Sequence, residues 1–229
     1  MGRDRKEAGF VGLGLMGAPM AANLLAAGWT VAAWNRSPAA LDGFEALGGA
    51  RVAEVEELRD KPVIIFMLPD LSYIEDSAGA LLASWSERSP APGTALVVMS
   101  SVSPDAVKKF GARVAEASGG NAVVVDAPVS GGTKGAVEGT LAIMAGADEE
   151  DFQRLVPLLR AMGTTVRRLG PLGSGSLAKA CNQLIVGITT AALAEAAELA
   201  ERSGMDVAAL YEVLAGGLAG SRVLDIVGP

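Results

Sequence analysis

Residues 9–17 have the sequence GFVGLGLMG, and this stretch decides the fold. The apolar run before Gly12 predicts a strand, while residues 16–27 predict a helix that stops at Gly28. Residues 30–34 predict a second apolar strand, which completes a strand–helix–strand unit. A Gly-x-Gly-x-x-Gly turn in this position suits a dinucleotide, because glycine lets the backbone approach the pyrophosphate at a helix N-terminus. A structural turn without a ligand is the alternative.

Strands and helices are predicted to alternate further along the chain. The predicted strands lie at residues 62–68, 95–99, 122–125, 140–145 and 165–169, with helices after Ser103 and over residues 149–162. This alternation predicts an α/β fold with a Rossmann-type, doubly wound, mostly parallel sheet over residues 1–172. Residues 174–203 contain no proline and predict one long helix. Residues 173–229 are therefore expected to form that helix and the start of an all-α domain.

Composition limits the classes of partner and chemistry. The chain has 229 residues with 19 basic and 26 acidic side chains, and the net charge of −7 disfavours nucleic acid. The single cysteine, Cys181, excludes an internal disulfide, suits the cytoplasm and is expected to be a small core residue. The apolar stretch 184–200 contains Glu195 and Glu198, so no membrane span is expected. Because histidine is absent, histidine metal ligands are excluded and proton transfer must use another side chain. No metal site is expected.

The end of the second predicted strand indicates which nicotinamide dinucleotide is favoured. An NAD site usually has a carboxylate there for the ribose hydroxyls, whereas this sequence has Asn35, Arg36 and Ser37. Without a carboxylate a 2′-phosphate is not repelled, and Arg36 offers charge-assisted hydrogen bonds to it. We therefore expect NADP(H) rather than NAD(H). A solvated turn arginine is the alternative.

Two further features predict a functional site: a turn that suits a small carboxylate and an amine that can exchange a proton. Ser130, Gly131 and Gly132 follow a predicted strand and combine a hydroxyl with accessible amides, although an ordinary loop is the alternative. Lys179 lies in the first turns of the long helix, where partial burial and the positive helix end are expected to lower the pKa of its amine. Such an amine can exchange a proton near neutrality. A lysine whose head reaches water past an apolar stem is the alternative.

Residues 10–24, FVGLGLMGAPMAANL, resemble the opening of the 3-hydroxyisobutyrate dehydrogenase (β-hydroxyacid dehydrogenase) family. The other motifs of the family follow in the expected order: Met67-Leu68-Pro69, Met99-Ser100-Ser101, Asp126 to Gly132 and the lysine helix. The resemblance extends from residue 9 to residue 229. Within the family, Asn182-Gln183 and residues 216–225 are most similar to the tartronate semialdehyde reductases (2-hydroxy-3-oxopropionate reductases).

The resemblance implies an oxidoreductase that transfers a hydride between the nicotinamide and a small β-hydroxy acid or semialdehyde. It implies Lys179 as the general acid in reduction and the general base in oxidation. It further implies that the Ser130-Gly131-Gly132 turn binds the substrate carboxylate and that Asn182 orients the reacting oxygen. The expected cofactor contacts, with the turn at the second strand included, are Gly12, Leu13, Gly14, Leu15, Met16, Gly17, Asn35, Arg36, Ser37, Met67, Leu68, Pro69 and Ser101.

Some positions depart from the family pattern. Val98 stands where relatives often have an acid, and Gln183 replaces a second asparagine. The family continues past the position of Pro229 with more helices, so we expect a C-terminally truncated sequence whose active site lacks one wall. A homo-oligomer, dimer or tetramer, is expected from the long alanine-rich helix. The alternative functions are a non-catalytic cofactor-binding or dimerisation module and an imine reductase, and Lys179 disfavours both.

Overall fold

A computed structural model describes residues 6–228 of the chain. The strands are β1 (Glu7–Val11), β2 (Thr30–Trp34), β3 (Ala50–Arg51), β4 (Val63–Phe66), β5 (Thr94–Val98), β6 (Ala122–Asp126), β7 (Val129–Ser130), β8 (Leu141–Gly146) and β9 (Gly163–Gly170). The α-helices are α1 (Gly17–Ala26), α2 (Pro38–Ala46), α3 (Leu71–Glu87), α4 (Pro104–Ala117), α5 (Gly132–Glu138), α6 (Glu149–Arg160), α7 (Ser174–Arg202), α8 (Val207–Ala215) and α9 (Arg222–Val227).

The strands pair in the order β3-β2-β1-β4-β5-β6-β8-β7, and β9 also pairs with β8. Every pair from β3 to β6 is parallel. β8 is antiparallel to β6 and β7 and parallel to β9. The predicted α/β class, with a mostly parallel sheet followed by a long helix, is confirmed.

Helices cover both faces of the sheet because its central strands are apolar throughout. In β4, Ile64 belongs to a buried cluster with Trp85 of α3. The next residue, Ile65, belongs to a different cluster, with Leu24 of α1 and Leu158 of α6. Successive side chains of a strand point to opposite faces, so an unbroken apolar run supplies two cores at once.

The segment after β6 differs from the prediction. The sequence predicted a turn at Ser130, Gly131 and Gly132, but Ser130 ends strand β7 and Gly132 begins α5. β7 exists because it pairs with Ala142 and Ile143 of β8, a contact between residues that are distant in sequence. The turn is confined to Gly131 and Gly132, whose φ angles are +138° and +62°. Glycine adopts such angles without strain.

The long helix was predicted over residues 174–203, and α7 has 29 residues, about 44 Å at 1.5 Å per residue. The chain forms two compact units, and the boundary between them lies within α7. The first unit is residues 1–179 and the second is residues 180–229. Within residues 6–228, α7 alone is long and apolar enough to cross a membrane, by length and composition. One such helix is weak evidence of a membrane span.

Cys181 is exposed, so its expected core position is wrong. The reason is the thin core of the second unit as far as it is described. The buried apolar side chains there are Leu193, Ala200 and Leu224. A small residue on α7 therefore finds few side chains to pack against within this unit.

Asp126 joins the sheet to the start of α7. It is the last residue of β6 and is fully buried. One carboxylate oxygen accepts a hydrogen bond from the Gly173 amide at 2.7 Å, and the other accepts one from the Ser176 amide at 2.6 Å. Gly146 and Gly175 permit this approach, because a Cβ on either residue would press on atoms of Asp126. The carboxylate therefore fixes where α7 begins, at the helix end that favours negative charge.

Asp126→Ala is expected to lower the free energy of unfolding by about 3 kcal/mol, because two buried amides lose charge-assisted hydrogen bonds. Urea unfolding followed by tryptophan fluorescence measures this, since Trp29, Trp34 and Trp85 all lie in the first unit. Asp148→Ala is the matched control, because this exposed carboxylate precedes α6 without a side-chain cap bond. Its cost should stay below about 1 kcal/mol. Equal losses in the two variants would contradict the role of Asp126.

Candidate functional site

The predicted cofactor segments leave the sheet at one edge. Val11 at the end of β1 lies opposite Trp34 of β2 and Phe66 of β4. Val98 of β5 lies opposite both Phe66 and Asp126 of β6. The segments that follow these strand ends are residues 12–17, 35–37, 67–69, 99–101 and 127–132. Ligands of open α/β sheets bind at this carboxyl edge, so the structure brings the candidate residues of the first unit to the appropriate side.

The three glycines of the loop have different surroundings. Gly12 has φ +101°, and a Cβ there would overlap the Met67 carbonyl oxygen. A Cβ on Gly17 would overlap the Gly12 carbonyl oxygen and lie 3.2 Å from the Phe10 ring. At Gly14, by contrast, a Cβ would meet no atom within 4 Å. The first and third glycines serve the packing of the loop, while the second faces open space, as a site for a close-lying pyrophosphate requires.

Asn35 fastens the glycine loop to the turn after β2. Its side-chain oxygen accepts a hydrogen bond from the Leu13 amide at 2.8 Å, and its side-chain nitrogen donates to the Ser37 carbonyl at 2.9 Å. The Gly12 amide also donates to the Trp34 carbonyl at 2.9 Å. The neutral side-chain amide of Asn35 therefore pairs with a backbone N–H of the glycine loop and with a backbone carbonyl of its own turn. Arg36 and Ser37, next in the turn, are exposed.

Ser100 supports the segment after β4, and sequence reasoning did not single it out. Its hydroxyl accepts a hydrogen bond from the Leu68 amide at 3.0 Å, and the residue is almost fully buried. Ser101, the predicted cofactor contact, is exposed beside it. A serine that directly follows a fully apolar strand was the available signal, because a hydroxyl buried there needs a partner.

An open cleft of about 880 Å³ joins the glycine loop to α5. Leu13 and Gly14 line it from the loop, Pro19 lines it from α1, and Thr133 and Val137 line it from α5. α5 begins at Gly132, so the helix that lines one side of the cleft starts within the predicted carboxylate turn. The cleft is a candidate position for a ligand beside the glycine loop.

Lys179 lies on α7 one turn beyond Ser176, the residue whose amide is bonded to Asp126. Its side chain is half-buried, and this burial lowers the pKa of its amine. The predicted direction of the pKa shift is confirmed. Ser130 follows Asp126 by four residues, so the carboxylate turn and the lysine helix both depend on the position of Asp126.

Asn182 lies one turn beyond Lys179 on α7 and belongs to the second unit. Its side-chain nitrogen donates a hydrogen bond to the side-chain oxygen of Gln183 at 3.0 Å. The orienting role implied for Asn182 stays a prediction. The same holds for the roles of Lys179, the Ser130 turn and the cofactor contacts.

Two protein-family models match the chain. Residues 7–170 match the NAD-binding domain of 6-phosphogluconate dehydrogenase. Residues 173–229 match the NAD-binding region of NADP-dependent 3-hydroxyisobutyrate dehydrogenase. The first match corresponds to the sheet with its helices, and the second begins where α7 begins.

Curated relatives and solved structures cover nearly the whole chain. The 2-hydroxy-3-oxopropionate reductase of Escherichia coli is 39% identical over 96% of the chain and 74% of the relative. The NAD-dependent L-serine dehydrogenase of Pseudomonas aeruginosa is 34% identical over 98% of the chain and 74% of the relative. The structure of Mycobacterium tuberculosis 3-hydroxyisobutyrate dehydrogenase with L-serine has a TM-score of 0.83 at 34% identity, covering 95% of this chain and 72% of that one.

Gly14→Ala and Gly17→Ala are expected to separate cofactor binding from folding. Gly14→Ala should change the free energy of unfolding by less than about 0.5 kcal/mol, because its Cβ meets open space. It should weaken NADPH binding about tenfold, since the methyl group occupies the approach of the pyrophosphate. Gly17→Ala should lower the unfolding free energy by about 1–3 kcal/mol, because its Cβ overlaps backbone. Urea unfolding and fluorescence titration with NADPH measure both. Full affinity in Gly14→Ala would contradict the cofactor assignment.

The lowered pKa of Lys179 makes stability depend on pH. Between the folded-state pKa and the ordinary value of 10.5, the unfolded chain binds more protons than the folded protein. The free energy of unfolding should therefore rise with pH across that interval, because deprotonation removes the buried charge. The stability advantage of Lys179→Met over the wild type should shrink as the pH approaches 10.5. Urea unfolding at several pH values measures it, with the exposed Lys109→Met as control. A pH-independent advantage would refute the expectation.

Proposed function

The chain belongs to the 3-hydroxyisobutyrate dehydrogenase family, and we propose that it transfers a hydride between NADP(H) and a small β-hydroxy acid or its semialdehyde. It is an NAD(P)-dependent oxidoreductase of the hydroxyacid dehydrogenase type. The observation that carries the detailed proposal is Lys179, a half-buried amine with a lowered pKa. Its helix begins at the strand end from which the carboxylate turn also departs.

The glycine loop is proposed to hold the cofactor pyrophosphate over Gly14, where the backbone is open. The turn at Asn35–Ser37 would hold the adenosine end, and residues 67–69 with Ser101 would line the remaining edge. When bound, the cofactor supplies hydride transfer at C4 of its nicotinamide. The chain's own contribution is to orient both reactants and to exchange one proton.

Lys179 is proposed to donate its proton to the substrate oxygen as the carbonyl is reduced, and to accept that proton in the reverse direction. A lowered pKa favours both, because a general acid–base group works best when its pKa is close to the working pH. Ser130, Gly131 and Gly132 would bind the substrate carboxylate through a hydroxyl and backbone amides. Asn182 would orient the reacting oxygen.

A preference for NADP(H) is the finer part of the proposal. The turn after β2 has no carboxylate to repel a 2′-phosphate, and Arg36 offers a cation there. The model matched by residues 173–229 is described for an NADP-dependent enzyme, whereas the Pseudomonas aeruginosa relative is NAD-dependent by name. We give more weight to the side chains of the turn, because they are the groups that would meet the ribose.

Tartronate semialdehyde is the substrate we favour. The Escherichia coli relative is named for the reduction of 2-hydroxy-3-oxopropionate, which is the same compound. The motifs at Asn182-Gln183 and residues 216–225 support the same assignment. 3-Hydroxyisobutyrate is the next candidate, since it differs by a few atoms and pocket shape alone separates the two.

The wider organisation is also proposed. Residues 1–172 would form the cofactor domain, and residues 173–229 would form the long helix and part of an all-α domain. We favour a cytoplasmic location. We also favour a homo-oligomer, because α7 exposes the apolar side chains of Leu184, Ile185 and Ile188, and a second subunit would cover them. A non-catalytic module and an imine reductase are the alternatives, and neither makes use of the Lys179 amine in this way.

Lys179→Ala is expected to lower kcat by about 10²–10⁴-fold, because the proton donor is lost. The Kd for NADPH should stay within about twofold, since the lysine is assigned to the substrate. Lys109→Ala, an exposed lysine on α4, is the control and should keep full turnover. The assay compares tartronate, methylmalonate and succinic semialdehydes with NADPH and NADH. Cofactor binding without turnover on any of them would favour the non-catalytic module.

A further inference from the structure

Arg36 and Tyr73 meet at the carboxyl edge of the sheet. Arg36 lies in the turn after β2, and Tyr73 lies in the first turn of α3, which follows β4. The central carbon of the Arg36 guanidinium is 5.9 Å from the centre of the Tyr73 ring, within the range of a cation–π contact. Because β1 lies between β2 and β4, the pair stands beside the glycine loop.

Tyr73 is held by the cap of its helix. The Asp70 carboxylate accepts hydrogen bonds from the Ser72 amide at 2.8 Å, the Tyr73 amide at 3.3 Å and the Ser72 hydroxyl at 2.6 Å. The Ser72 hydroxyl bond is the main cause that lowers the pKa of Asp70, which keeps the cap ionised. Tyr73 is 43% exposed, so the residue is partly packed and partly open to a neighbour. The hydrogen bonds from the Ser72 and Tyr73 amides to Asp70 therefore hold the backbone of Tyr73 in place.

A further feature of the pair is the charge of the Arg36 guanidinium. Within residues 6–228 Arg36 forms no ion pair, whereas Arg51, Arg88 and Arg113 each pair with a carboxylate. The central carbon of its guanidinium lies over the Tyr73 ring. Edge N–H groups are those that bind a phosphate in bidentate fashion. In a chain of net charge −7, this is a local cation at the cofactor edge.

We propose that Tyr73 is a positioning residue that holds the Arg36 guanidinium for the 2′-phosphate of NADPH, an inference that rests on the proposed preference for NADP(H). A free arginine side chain loses rotamer freedom when it binds a ligand. Stacking on a fixed ring removes part of that loss before the cofactor arrives. The benefit applies to NADPH alone, because NADH carries no phosphate at this position.

Fluorescence titrations of the chain with NADPH and with NADH test the proposal in four variants: Tyr73→Leu, Tyr73→Phe, Arg36→Ala and the double variant Arg36→Ala/Tyr73→Leu. Tyr73→Leu should weaken NADPH binding about two- to fivefold, the strength of an exposed cation–π contact, and leave the Kd for NADH unchanged. Tyr73→Phe keeps the ring and should bind NADPH like the wild type. In the Arg36→Ala background, Tyr73→Leu should have no further effect on NADPH.

Each other outcome is decisive. Equal weakening of NADPH and NADH by Tyr73→Leu would mean that the ring touches a part shared by both cofactors, which overturns the proposal. An effect of Tyr73→Leu that persists without Arg36 would overturn it as well. If Arg36→Ala abolishes a preference for NADPH that Tyr73→Leu leaves intact, the cofactor preference stands and Tyr73 has no role in it. A wild type that prefers NADH would overturn both. Matching thermal unfolding midpoints confirm that the variants are folded.

Discussion

The buried carboxylate of Asp126 links the proposed proton donor to the proposed carboxylate site. It accepts hydrogen bonds from the start of the helix that carries Lys179, and Ser130 follows it by four residues. A carboxylate removed from water is costly unless donors replace its hydration. Here the Gly173 and Ser176 amides supply those donors at the positive end of a helix. Each carboxylate oxygen thus has one amide donor at the start of the helix. Lys179 lies one turn beyond Ser176 on the same helix, so its position depends on the hydrogen bond between the Ser176 amide and Asp126.

The same strand end also marks a change in the sheet. Up to β6 every pair is parallel, and at Asp126 the sheet meets the antiparallel strand β8 through Gly146. Gly146 and Gly175 have no side chains, so sheet and helix approach closely around the carboxylate. The chain then reaches Ser130, the last residue of β7, within four residues. The proposed proton donor and the proposed carboxylate site are thus attached to one buried group rather than to separate loops.

The molecule carries an excess of negative charge, yet its proposed ligand is a polyanion. The net charge of −7 would disfavour binding if charge were spread evenly. Three features of the carboxyl edge offset this charge. The glycine loop presents backbone at the N-terminus of α1, and Asn35 stands where a carboxylate would repel a 2′-phosphate. Arg36, resting on Tyr73, adds a cation that no acid in the described chain neutralises.

The sequence was sufficient for features that depend on local pattern. The glycine loop, the apolar parallel strands and the uninterrupted α7 follow from the spacing of glycine and apolar residues. The family of oxidoreductases was indicated by the resemblance of several ordered motifs, not by spacing alone. Partial burial of Lys179 could also be predicted, because its neighbours on the helix are small or apolar. These are properties of contiguous residues, which the order of the chain specifies directly.

Tertiary structure decided what depends on residues that are distant in sequence. Ser130 lies in a strand rather than a turn because β8 offers it a partner. Asp126 is a helix anchor because residues some fifty positions later donate to it. Tyr73 meets Arg36 only because β2 and β4 flank β1 in the sheet. A hydrogen bond or a stacked pair is specified by both partners, and local composition describes one partner at a time.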